Sequence, residues 1–311
     1  RAGVSRLLRV LKYVARNPLP SAKGGAMKFL PPLALDRYLS LHGRAVYSTN
    51  KELREHCRNL LAGRLKLDAA SPAFKTNSLQ LCQNLQRWTI PVGHPYWKTA
   101  PVPHEMIGEE HIRRCLNAGR GAIMLLSHFG PWPFINRELK RRGIFLDPTY
   151  PLGWPDELDS SMTSRVRFLL KARRALAAGG VVGLMGDVGA VGYPQLGRMV
   201  ELPFLGGTAQ FPLGGALLAG LASSPLLPLF ALRHADGRHA LVCTPPIDPR
   251  DFAGGREERA VKMLECYAAR LEQMIKEYPN NACSFLSLAA RFEVTDAGRD
   301  DRATSPSSLP A

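Results

Sequence analysis

The stretch Gly121-Ala122-Ile123-Met124-Leu125-Leu126-Ser127-His128-Phe129-Gly130 decides how this chain is read. Its apolar run has the length of a strand buried on both faces. The run delivers one histidine, His128, into a turn that carries a glycine. Pro131-Trp132-Pro133 follows, and proline is favoured in the first turn of a helix. The order is therefore strand, turn, helix, with an imidazole at the mouth of the turn. Sites in open α/β sheets gather at the carboxyl ends of strands, and a histidine there suits general-base work. Gly130 is expected to let a ligand approach the backbone.

Working outward, the alternation continues on both sides. A helix over 109–118 leads into the strand at 121–127, and a helix over 132–142 into a short strand at 144–147. A long basic helix, about 160–178, leads to a strand at 180–185. Residues 202–232 hold no charged side chain, a length that raises the question of a membrane span. Pro212, Pro225, Pro228 and several glycines favour a turn, a buried helix over 213–222 and a strand over 226–232. Ala235-Asp236-Gly237 marks a hairpin into a strand at 239–244. The last helix spans 256–277. Val261, Leu264, Ala268, Leu271 and Ile275 form its apolar face, and Pro279 stops it.

This pattern is α/β, with a central, mainly parallel or mixed sheet flanked by helices over 105–295. Before it, 26–104 reads as a helical region, with candidates at 30–47, 51–65 and 78–88 and a proline-rich close at 91–103. Residues 1–25 read as a basic amphipathic segment and linker. Val4, Leu7, Leu8, Leu11 and Val14 fall on one side of a helix, and Arg6, Arg9, Lys12 and Arg16 on the other. Such a segment either lies on anionic lipid or packs on the domain with its charges solvated. Residues 296–311 are polar and proline-bearing, and are expected to be disordered.

With 311 residues, 45% of them hydrophobic, the chain can bury a sizeable core. Its formal charge of +15 attracts phosphates, acidic proteins or an anionic membrane surface. The six cysteines, at 57, 82, 115, 243, 266 and 283, are scattered, with no Cys-x-x-Cys pair. They read as reduced thiols, and no metal site is expected. The sequence has no Gly-x-Ser-x-Gly elbow, Walker A motif, Gly-x-Gly-x-x-Gly or His-Glu-x-x-His. No RNA-recognition or finger signature accompanies the charge, so no nucleic-acid partner is expected.

His128-Phe129-Gly130-Pro131-Trp132-Pro133 resembles the histidine motif of the bacterial lysophospholipid acyltransferase superfamily. It is most similar to the branch that acylates lipid A precursors, where the motif looks like His-Phe-Gly-Asn-Trp-Glu. The resemblance continues at Gly186-Asp187, at Leu202-Pro203-Phe204-Leu205-Gly206, through Leu226–Arg233 with Gly237-Arg238, and over Tyr267–Pro279. It implies a peripheral protein on the cytoplasmic face of the bacterial inner membrane. Such a protein moves a fatty acyl chain from an acyl carrier protein or coenzyme A thioester to a hydroxyl of a lipid or glycolipid. The thioester is a co-substrate, and no bound cofactor is implied. His128 would be the general base. The family's pattern places Asp or Glu after four intervening residues, to orient the imidazole. Here that position is Pro133, which holds no imidazole tautomer. The end also departs: Ser284-Phe285-Leu286-Ser287 stands where the family continues with Trp and paired arginines.

Two carboxylates are candidates for the missing role. Glu138 lies five residues beyond Pro133, roughly 140° around the same helix, and so faces elsewhere. Asp187 closes a neighbouring strand, within reach of His128 directly or through water; its other reading is a turn-former or helix cap. Substrate contacts are expected from Gly130 and Trp132 in the motif. Arg137, Arg141 and Arg165 are expected to hold head-group phosphates or the acidic face of a carrier protein. Gly206 and Gly207 offer backbone N–H groups to a phosphate or oxyanion. The imidazole is expected in an open, apolar crevice. Two functions stay open: an O-acyltransferase, or a catalytically impaired scaffold that binds lipid.

Overall fold

The computed structural model describes residues 30–88, 90, 96–97, 104–149, 162–187 and 197–286, with backbone alone at 104, 147–149 and 162–165. Three helices come first: α1 (Pro32–Thr49), α2 (Lys51–Arg58), which runs on into a π-helical turn at Asn59–Arg64, and α3 (Pro72–Trp88). Asn50 divides the first two, its side-chain oxygen accepting from the Leu53 N–H at 3.0 Å. α3 begins earlier than the helix expected at 78–88. Ser71 caps it, Oγ accepting from the Phe74 N–H at 3.1 Å, and Pro72 occupies its first turn.

Then come β1 (His104–Ile107), α4 (Glu109–Asn117), β2 (Ala122–Leu126), α5 (Ile135–Arg141), β3 (Leu146–Thr149), α6 (Met162–Ala177) and β4 (Val181–Met185). The second half holds β5 (Met199–Phe204), β6 (Gly207–Pro212), α7 (Gly214–Ala222), β7 (Leu226–Arg233), β8 (His239–Cys243) and α8 (Arg256–Glu277). Six strands form one sheet in the order β1-β8-β7-β2-β4-β3. Every neighbouring pair is parallel except β7 with β8, which form an antiparallel hairpin. The class is α/β with a mixed, mostly parallel sheet.

The uncharged stretch differs from its sequence reading. It opens with a hairpin, β5–β6, where a turn alone was expected. Leu205 at φ 52° and Gly206 at φ 72° make the two-residue turn, whose positive φ values match the twist of the flanking strands. Leucine rarely adopts that conformation. Glu272 of α8 holds it there, accepting from the Leu205 N–H at 2.7 Å. Among the described residues no helix is long and apolar enough to cross a membrane.

Every residue of β2 is buried, because helices cover both faces of the sheet. Ile123 and Leu125 pack on one face with Phe230 and Tyr267, in a core that also takes in Cys57 of α2, Leu61 of the π-helical turn and Leu81 of α3. Met124 and Leu126 pack on the other face with Ile112, Trp132 and Leu139. The helical region and the sheet thus share a core. A polar lock reinforces the junction. One oxygen of Asp36 accepts from Arg87 Nε at 2.8 Å and the Tyr96 hydroxyl at 2.9 Å; the other accepts from Arg87 Nη2 at 3.1 Å and Arg233 Nη2 at 3.0 Å. Burial alone would raise this carboxyl. The hydrogen bond and charge of Arg87, joined by Arg233, instead hold it well below the ordinary carboxylate range. The lock ties α1 and α3 to the carboxyl end of β7. The amphipathic segment at 1–25, most of the proline-rich stretch at 91–103 and the tail at 296–311 lie outside the described residues.

Candidate active site

Strand register builds this site. β2 and β4 are adjacent and parallel, with Ala122 opposite Val181 and Leu126 opposite Met185. The same offset, carried past the last pair, sets His128 beside Asp187. Their side chains meet, His128 Nδ1 lying 2.7 Å from Asp187 Oδ1. The second carboxylate oxygen, Oδ2, accepts the backbone N–H of His128 at 2.6 Å. One contact fixes the ring and the other fixes the carboxylate against the main chain. Asp187 is fully buried, where a carboxylate must have donors on its oxygens. A carboxylate accepting at Nδ1 keeps the ring proton there, so the basic lone pair lies on Nε2.

The surroundings hold the dyad in place. Tyr267 of α8 lies across the strand ends, its hydroxyl donating to the Leu126 carbonyl at 3.1 Å. The Gly186 N–H gives that carbonyl a second bond at 2.8 Å. A Cβ on Gly186 would sit 2.6 Å from the Tyr267 ring, so only glycine allows this crossing immediately before Asp187. Burial, and then the charge of Asp187, push the Tyr267 phenol well above its ordinary value. Ser284 Oγ donates to the His128 carbonyl at 2.5 Å. Residue 284, in the segment that departs from the resemblance, therefore supports the histidine's backbone.

A family model described as bacterial lipid A biosynthesis acyltransferase matches residues 84–287, a span that includes every residue of this arrangement. The chain belongs to that family. Membership places this acyltransferase-family protein in lipid metabolism. Among solved structures, it is similar to the 1-acyl-sn-glycerophosphate acyltransferase PlsC from Thermotoga maritima. That match has 15% identity and a TM-score of 0.36, and covers 78% of this chain and 97% of that one. No curated protein matches the chain.

The imidazole of this acyltransferase-family protein is largely covered by its neighbours. Its residue is 5% exposed. Trp88, brought in by the end of α3, and Trp132 flank it, with ring centroids 5.8 Å and 5.2 Å from the imidazole. Gly130 has a packing reason of its own. Its φ is 59°, and a Cβ there would lie 2.0 Å from the Ala231 carbonyl oxygen of β7. Trp132 and Pro133 form a 3-10 turn ahead of α5.

The cationic candidates lie on α5 and α6. Arg137 reaches Glu138 Oε1 at 3.0 Å and the Trp97 carbonyl at 3.3 Å, and lies over the Phe134 ring. These contacts hold its guanidinium beside the Phe134 ring. Arg141 is exposed and contacts the same Glu138, so that carboxylate serves the arginines of its own helix. Arg165 falls on α6, but its side chain is outside the described residues. Gly206 and Gly207 form the β5–β6 turn and the start of β6; Gly206 offers its carbonyl to Arg64 at 3.5 Å. They make a hairpin corner. Beyond the dyad, α6 exposes Val166, Leu169 and Leu170 together with Arg167, Lys171, Arg173 and Arg174, while Ala172 and Leu176 face the core. Among the described residues no three metal-ligating side chains come together.

Trp88, Gly186, Tyr267 and Ser284 were not singled out from the sequence as site residues. Gly186 was discoverable as the glycine before a strand-end aspartate. Trp88 carried no local signal, because its place beside His128 is set by long-range packing.

Proposed function

We propose that this protein is an O-acyltransferase in which His128 is the general base and Asp187 its orienting carboxylate. The observation that carries the reading is the 2.7 Å contact between Nδ1 and Oδ1. It supplies from a neighbouring strand what Pro133 cannot supply. Nε2 takes the proton of an acceptor hydroxyl as that oxygen bonds to the carbonyl carbon of an acyl thioester. The carbonyl electron pair moves onto its oxygen. When it returns, the C–S bond breaks, and the imidazolium passes its proton to the leaving sulfur. The donor is an acyl carrier protein or coenzyme A thioester, and the acceptor a lipid or glycolipid hydroxyl.

The protein works as a peripheral protein at the cytoplasmic face of the inner membrane, bound to anionic lipid. The α6 surface supports this. Its apolar ridge of Val166, Leu169 and Leu170 is flanked by four cations, each worth about 1 kcal/mol near an anionic bilayer. The test is incubation with radiolabelled acyl carrier protein or coenzyme A thioesters and a lysophospholipid or lipid A precursor. Transfer that disappears in His128→Ala supports the reading. Lipid binding with no transfer above the His128→Ala background replaces it with a non-catalytic scaffold.

A further inference from the structure

We propose that the indole N–H groups of Trp88 and Trp132 receive the substrate's carbonyl oxygen as it becomes an oxyanion beside His128. The inference rests on the acyl-transfer reading above. Both Nε1 atoms are buried, and neither has a hydrogen-bond partner. Buried donors left unbonded are uncommon and call for a reason. These two are neighbours: their ring centroids are 6.0 Å apart, and each ring also contacts the imidazole of His128. Trp97 behaves differently, donating its Nε1–H to the Ile90 carbonyl at 3.2 Å.

The chemistry suits the place. An indole N–H donates and cannot accept. It stabilises a negative oxygen without competing for the acceptor's proton, which goes to Nε2. The pair is screened from solvent, where a fixed donor acts most strongly on charge that develops during reaction. His128 and Asp187 handle the proton while Trp88 and Trp132 handle the electron pair. The tetrahedral adduct then has a partner for each change in charge.

Two measurements test this. Trp88→Phe and Trp132→Phe keep an aromatic ring and remove the donor. Each is expected to lower kcat about a hundredfold, with KM and the pH profile unchanged. Turnover within twofold of the unsubstituted protein, or a rise in KM alone, overturns the proposal. The second measurement needs no turnover. Indole N–H resonances are followed by NMR in the full chain during titration with dodecylphosphonate, a charged oxygen cluster on an alkyl chain. The Trp88 and Trp132 signals, assigned from the two variants, are expected to move downfield while Trp97 stays in place. Failure of both to move overturns the proposal. Loss of acyl transfer in the unsubstituted protein with these shifts intact overturns the enzymatic reading alone.

Discussion

Asp187→Asn changes the dyad without changing its volume, and its outcome follows from counting donors and acceptors. The carboxylate accepts twice, from the His128 backbone N–H at 2.6 Å and at Nδ1 at 2.7 Å. Asparagine offers one acceptor and one donating group. The backbone N–H cannot change its role, so it claims the amide oxygen. The amide NH2 then faces Nδ1, which must become an acceptor, and the ring proton moves to Nε2. That is the tautomer unable to take a proton from a hydroxyl. A comparable substitution in a catalytic triad lowers kcat about 10⁴-fold, which corresponds to about 5 kcal/mol of transition-state stabilisation. The assay is acyl transfer, paired with long-range ¹H–¹⁵N NMR of the imidazole. The expected result is a fall in kcat of three to four orders of magnitude (about 4–5 kcal/mol) together with a switch from Nδ1–H to Nε2–H. If the tautomer switches while kcat stays within tenfold, His128 is not the base. If the tautomer does not switch, the hydrogen-bond reasoning is wrong.

Asp36→Asn leaves Arg87 and Arg233 without their shared carboxylate, and chemical denaturation is expected to show a loss of about 3–5 kcal/mol. Because those arginines hold the Asp36 carboxyl below its unfolded value, its contribution is complete above about pH 4 and declines as pH falls further. The stability of Asp36→Asn should therefore depend less steeply on pH below 4; identical slopes contradict the assignment. Gly130→Ala places a Cβ against the Ala231 carbonyl at a left-handed backbone position, and thermal unfolding should report about 2–5 kcal/mol of destabilisation; a neutral effect removes the packing explanation. Leu169→Glu with Leu170→Glu alters half-exposed positions of α6. Co-sedimentation with phosphatidylglycerol vesicles should weaken at least tenfold while stability stays within about 0.5 kcal/mol; unchanged sedimentation removes α6 from the membrane surface.

The sequence made the central strand and the long last helix readable because their apolar patterns extend over whole elements. β2 is buried throughout, and α8 spans the expected 256–277. Short or unusual elements were harder to read. β1 is a four-residue edge strand that follows a proline-rich stretch. β5 and β6 meet at a leucine with positive φ, a conformation supported by the tertiary bond to Glu272. α3 did carry a start signal in Ser71-Pro72, a cap followed by proline. At the site, His128 stood out because its strand and turn are contiguous. Asp187 is 59 residues away, and only the pairing of β2 with β4 brings it into contact. Trp88 is more remote still, since it depends on how α3 settles against the sheet.

Drawing its two members from separate strands has a consequence for how this dyad arises and fails. A base and carboxylate within one turn and helix would persist in a fragment, in a partly folded intermediate or through loosening of the sheet. Here proton-transfer competence emerges only with tertiary structure, and a one-residue slip between the central strands would turn the acid toward the opposite layer. Fraying of an outer strand leaves the pair intact, whereas strain between the two inner ones disconnects it before the chain unfolds.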